Sequence, residues 1–139
     1  DVPPIAQPTD ITFGERGQLK LIGYDLPATN FAPGDTLPVT LYWQAGTEMD
    51  VNYTVFTQLL NHAGQVVSQQ DLQPLSGAAP TTTWLSGEIL ADPYNLALPA
   101  DLPSGDYHLI TGLYNAATGE RLPASSGGDF VELQQVAVK

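Results

Sequence analysis

The chain has 139 residues, 15 of them acidic and four basic, for a formal net charge of −11 at pH 7. That balance excludes nucleic acid as a partner, because Lys and Arg contacts to phosphate supply most of such affinity, and it argues against docking on anionic lipid. The chain has no cysteine, so disulfides, thiolate metal sites and Cys nucleophiles are ruled out, and 42% apolar residues suffice for the core of one domain.

No run approaches the roughly 18 apolar residues of a membrane span, so no direct membrane insertion is expected of this segment. Residues 1–9, DVPPIAQPT, read as a Pro-rich, extended and poorly paired lead-in to a single domain over 10–139. The chain begins Asp-Val-Pro-Pro without Met, and a processed or excised piece of a longer protein is expected. After a possible edge piece at 10–13, period-two alternation between Pro/Gly turns places strands at 17–25, 36–45, 51–61, 64–71, 87–98, 106–115 and 130–138. No amphipathic helix is expected.

In the 36–45 strand, Leu37, Val39, Leu41 and Trp43 alternate with Pro38, Thr40 and Tyr42, which assigns the first set to the core. Pro38, and Pro93 as a break within 87–98, imply edges or bulges. Asn61-His62-Ala63-Gly64 and Ala116-Ala117-Thr118-Gly119 are hairpin loops whose Gly supplies positive φ. The 72–86 connection is long, carries Trp84 and has little strand pattern, and 123–129 (PASSGGD) reads as a flexible loop.

Leu102-Pro103-Ser104-Gly105-Asp106-Tyr107 has the form of a tyrosine corner, in which a Tyr two residues past a turn Gly hydrogen-bonds upstream backbone. With the strand pattern it implies an all-β, immunoglobulin- or fibronectin-III-like two-sheet antiparallel sandwich of 7–9 strands. Tyr107 and Trp43 are its structural residues. Tyr107, Leu109, Thr111 and Leu113 share the inward face of 106–115.

Asp71, Glu88 and Asp92 lie near Trp84 and Tyr94 in sequence, and a carboxylate pair beside aromatic platforms is what glycoside hydrolysis needs. Turn capping competes for the same carboxylates. His62 and His108 are the only imidazoles, too few for a zinc site without other ligands. Six Asp fall near strand ends, at 25, 35, 92, 101, 106 and 129, but no spaced calcium loop is present and Asp at turns is ordinary turn chemistry, so no metal site is expected; Asp92 and Asp101 are the candidates should one exist. No Gly-x-Ser-x-Gly elbow or phosphate-binding Gly loop occurs, and no cofactor is expected.

An aromatic face is the remaining candidate. With Val55 and Leu59 inward on 51–61, Phe56 and Leu60 point outward, as do His108, Ile110 and Tyr114 on the neighbouring strand. Either the Trp84 loop folds over this face, the preferred reading, or the face is open for glycan stacking or protein docking. Its contact residues would be Trp84, Tyr94, Phe56, His108 and Tyr114. Asn52-Tyr53-Thr54 matches a glycosylation sequon within a strand.

The segments LKLIGYDL (19–26), PGDTLPVTLYWQA (33–45), YTVFTQLLNHAGQVVSQQD (53–71), PTTTWLSGEILADPYNLALP (80–99) and PSGDYHLITGLYNAATGERL (103–122) follow a distinctive order. In that order they resemble the soluble C-terminal sandwich domain of bacterial membrane proteins similar to dolichyl-phosphate-mannose-type glycosyltransferases, frequent in filamentous green non-sulfur bacteria. The resemblance implies an extracytoplasmic, cell-surface, non-catalytic accessory module whose partner is glycan or the membrane-embedded part of the same protein. Catalysis in such proteins belongs to the membrane-spanning part, so no catalytic residue carries over. The alternatives are a structural spacer or protein-interaction module of the cell surface, and a small glycoside hydrolase.

Overall fold

A computed structural model describes residues 3–139. Its nine strands are β1 (Gln7–Phe13), β2 (Leu19–Asp25), β3 (Asn30–Phe31), β4 (Thr36–Ala45), β5 (Tyr53–Leu60), β6 (Val66–Leu72), β7 (Ile89–Ala97), β8 (Gly105–Asn115) and β9 (Val131–Val138). One sheet runs β1-β2-β4-β7 and the other β3-β9-β8-β5-β6, which makes the fold an immunoglobulin-like β-sandwich. Among the described residues no helix is long and apolar enough to cross a membrane.

Strand β4 shows how the alternation drives the packing. Leu37, Val39, Leu41 and Trp43 are at most 2% exposed, and each such burial is worth about 1.5–3 kcal/mol. They meet Val55 and Leu59 of β5 and Tyr107, Leu109 and Leu113 of β8 in one core. A bulge in β2 between Leu21 and Gly23 resets its register against β4. Leu21 and Tyr24, an odd spacing apart, therefore both enter the core, and the Tyr24 hydroxyl donates across to Leu133 O at 2.9 Å.

The tyrosine corner forms as its sequence implies. The Tyr107 hydroxyl donates to Pro103 O at 2.6 Å, tying the base of β8 to the turn that launches it. Tyr107→Phe is expected to cost about 1 kcal/mol, the net worth of one such bond, seen as a lower urea midpoint with an unchanged slope.

Four expectations are corrected. The lead-in is paired from Gln7: β1 matches Gln7 and Pro8 to Tyr24 and Gly23, and Asp25 accepts from Ala6 N at 2.7 Å. Pro8 misled because an edge strand tolerates a missing N–H on its open side. The same reason keeps β7 continuous through Pro93, for β7 is the end strand of its sheet, with β4 as its ladder partner. Its open side is covered from β6, where Gln70 Oε1 accepts from Asn95 N at 3.0 Å and Ser68 Oγ donates to Ala97 O at 2.7 Å.

Strand β3 was not foreseen, and its two-residue parallel pairing with β9 breaks the antiparallel rule. The expected loop at 123–129 is stitched to β1 instead. Ser125 N donates to Thr12 O at 2.8 Å and Ser125 Oγ accepts from Thr12 N at 2.9 Å, while Ala124 is buried.

Candidate functional site

The outward face of β5 and β8 is where sequence placed an aromatic surface, and pairing does bring its members together. Register sets Phe56 opposite Gly112 and Thr54 opposite Tyr114. The face is closed, however, and not by the Trp84 loop. Phe56 is 1% exposed, with its ring lying over Gly112, where a Cβ would collide with Phe56 Cζ and sit 2.8 Å from Cε1. Arg121, on the segment joining β8 to β9, places its guanidinium 4.2 Å from the ring centroid and pairs with Asp129 at 3.4 Å. Tyr114 flanks the ring at 6.1 Å and donates its hydroxyl to Asp71 at 2.8 Å. Ile110 is buried too. A glycan therefore has no flat aromatic platform here, and the open-face reading is corrected along with the covering loop. His108, half-buried, lies 3.1 Å from Glu132 through Nδ1; His62 is exposed on the β5–β6 turn.

The 72–86 connection instead plugs one end of the sandwich. It makes a tight turn at Pro74–Gly77, interrupted by non-helical backbone at Leu75 and Ser76, and a 3-10 turn at Thr81–Thr83. Thr81 Oγ1 donates to Val51 O at 2.6 Å and accepts from Tyr53 N at 3.0 Å, which fastens the loop to the start of β5. Trp84 is 3% exposed within the main core and donates Nε1–H to Ala79 O at 2.8 Å. It is a plug, not a stacking surface. Asn52 of the sequon accepts from Thr82 Oγ1 at 2.6 Å.

Beside that plug sits a buried polar cluster. Leu90, Asp92, Tyr94 and Leu96 alternate inward along β7, so Asp92 and Tyr94, each 1% exposed, enter the core. Asp92 accepts from the Tyr94 hydroxyl at 2.7 Å, from Trp43 Nε1 at 3.3 Å and from Leu75 N at 2.8 Å. Burial raises the Asp92 carboxyl above its ordinary range, against the pull of those three donors. Burial and the adjacent Asp92 push the Tyr94 phenol far upward. Leu75 and Ser76 adopt left-handed φ of 53° and 55°, a costly conformation for Leu that the Asp92 bond holds in place. Tyr94 as a ligand contact is thus overturned, since its phenol serves the core.

The three carboxylates proposed for hydrolysis are dispersed. Asp71 serves Tyr114 on the outer face, Asp92 is in the core, and Glu88 accepts from Leu85 N at 2.9 Å in the loop before β7. Nor are the metal candidates joined: Asp101 is exposed in the β7–β8 turn while Asp92 is enclosed. Among the described residues no three His, Asp or Glu converge.

A cleft that sequence reasoning missed opens where the β1–β2 turn, the start of β5 and the segment after β8 meet. It encloses about 510 Å³ and its walls carry Glu15, Arg16, Gln18, Glu120 and Arg121. Tyr53, Leu122 and Pro123 complete it. The β1–β2 turn is shaped by Gly14 and Gly17, both at positive φ. The Gln18 carboxamide lies against Gly14, where any Cβ would collide with it, and its Oε1 accepts from Arg16 N at 3.0 Å. Arg121 is fixed by Phe56 and Asp129, and among the described residues the Arg16 guanidinium pairs with no carboxylate. The contributing residues come from three separated stretches of chain, so no local motif announces the site.

No protein-family model matches the chain, and no curated protein matches it in sequence. Among solved structures, the C-terminal domain of wzt is similar at a TM-score of 0.59 and 14% identity, over 98% of this chain and 82% of that one. The CARDB domain of a Pyrococcus furiosus protein, solved in complex with di-metal ions, is similar at a TM-score of 0.50 and 8% identity, over 100% of this chain and 95% of that one. Likeness at such identities establishes a shared sandwich and leaves function to the site.

Proposed function

We propose that this chain is a non-catalytic accessory module of a larger extracytoplasmic, membrane-associated protein similar to the glycosyltransferases named above, and that it binds or positions glycan. The observation that carries the non-catalytic reading is the fate of Asp71, Glu88 and Asp92. Glycoside hydrolysis needs two carboxyls facing each other across an open cleft, about 5–10 Å apart. Here one is on an outer face, one in the core and one in a loop, each hydrogen-bonded within the chain. The setting beside a membrane-embedded part is supported by the ordered resemblance of segments 19–122.

The test is native affinity electrophoresis through gels cast with mannan, dextran, galactan or hyaluronate, with reducing ends measured in parallel. Retardation by at least one polymer without release of reducing ends is the expected result. Release would make the chain an enzyme and overturn the reading. Migration unaltered by every polymer would favour the second reading, a structural spacer, whose specific support is the burial of Trp84 and Tyr94.

A further inference from the structure

We infer that the cleft between Arg16, Tyr53, Glu120 and Arg121 is a saccharide site, and that it takes a neutral, polyhydroxylated ligand; this rests on the glycan-binding reading above. Half of the four basic residues in a chain of net charge −11 line this one cleft. They stand beside two lining carboxylates, Glu15 and Glu120, which balance them one for one, and Asp129 pairs with Arg121 besides. An anionic ligand would meet those carboxylates and the repulsion of the whole molecule. A cation would meet the two guanidiniums. An uncharged ligand rich in hydroxyls fits both: each guanidinium offers a planar fork of donors and each carboxylate a pair of acceptors, spaced for adjacent hydroxyls.

The groups are also available and held. Arg16 has no carboxylate partner among the described residues, and its turn is locked by the Gln18 carboxamide against Gly14. Arg121 is braced by the Phe56 ring and by Asp129, which reduces the ordering needed when a ligand arrives. Tyr53 is buried, yet its hydroxyl has no hydrogen-bond partner among the described residues and is not sealed from the cleft's solvent. Leu122 and Pro123 give the apolar wall on which the C–H side of a pyranose can rest.

Isotope-labelled protein titrated with mannohexaose, isomaltohexaose, galactohexaose and hyaluronate hexasaccharide tests this by amide chemical shifts. At least one neutral hexasaccharide is expected to shift Glu15–Gln18, Tyr53 and Glu120–Leu122. Arg16→Ala, on an exposed turn, is expected to weaken that binding about tenfold or more with an unchanged melting temperature. Tyr53→Phe is expected to weaken it with the fold intact. Shifts confined to another surface, binding indifferent to Arg16→Ala, or a preference for hyaluronate would each overturn the assignment while glycan binding stood. No shift with any oligosaccharide, together with no retardation by any polymer, would overturn the glycan-binding reading itself.

Discussion

Asp92→Ala is expected to destabilise the fold by about 3–5 kcal/mol, because each buried donor left without an acceptor costs about 1–3 kcal/mol. Three donors depend on that carboxylate: the Tyr94 hydroxyl, Trp43 Nε1–H and Leu75 N–H. Among the described residues only the Tyr94 hydroxyl has a second acceptor, Leu72 O at 3.5 Å. The loss also releases Leu75 and Ser76 from their left-handed conformation, so the 73–79 turn should rearrange. Thermal melting is expected to fall by roughly 10 °C. An unchanged melting temperature would mean that the cluster does not hold the loop. Asp92→Asn keeps the shape but sets an NH2 against either Leu75 N–H or Trp43 N–H, and should fall between the wild type and Asp92→Ala.

The same carboxyl shapes the pH dependence, with a sign opposite to the usual acidic residue. Its folded-state pKa is raised, so the folded chain binds that proton more tightly than the unfolded one. Ionised, the group costs stability; that cost disappears as pH falls through the folded pKa toward the ordinary value of about 3.9. Asp25 behaves conversely. The Tyr42 hydroxyl, at 2.6 Å, and Ala6 N–H lower its pKa, so its contribution is present above the ordinary value and lost as pH falls through the folded one. Denaturation measured across the acidic range should show Asp92→Asn removing the rise on the upper side of that value while leaving the fall below it. A profile unchanged by Asp92→Asn would show that Asp92 has the same affinity for its proton folded and unfolded.

Much of this fold is written in parity. The inward positions of β4, β5 and β8 follow from alternation alone, because a strand with one buried face leaves each residue a single choice of side. The same rule would have placed Asp92 in the core, since Leu90, Asp92, Tyr94 and Leu96 alternate; taking Pro93 as a break hid that pattern. Gly112 was also a signal, as a glycine inside a strand marks a close approach, and Phe56 makes that approach. Other features have no local trace. Which connection covers the outer face depends on loop paths, and Arg121 reaches Phe56 from 65 positions away in number but one strand away in space. The polar cleft likewise assembles residues 15, 16, 18, 53 and 120–123, whose meeting no short motif encodes.

Phe56→Ala decides which segment closes that outer face. The ring is enclosed by Gly112, Tyr114 and Arg121, so its removal is expected to cost about 3–5 kcal/mol. The loss should be felt in the segment after β8, through bonds such as Asn115 N to Glu120 O at 2.8 Å and Leu122 N to Leu113 O at 2.9 Å. Hydrogen exchange should therefore quicken at Asn115, Leu122 and Ala124 beyond the general loss of protection, and much less at Thr83 and Trp84. The reverse pattern would return the Trp84 loop to the outer face. Gly112→Val approaches the same contact from the other side: a side chain there must displace the Phe56 ring, at a cost of about 1–3 kcal/mol. Because Phe56 braces Arg121 at the rim of the cleft, both variants should also weaken any saccharide held there, although neither residue touches it.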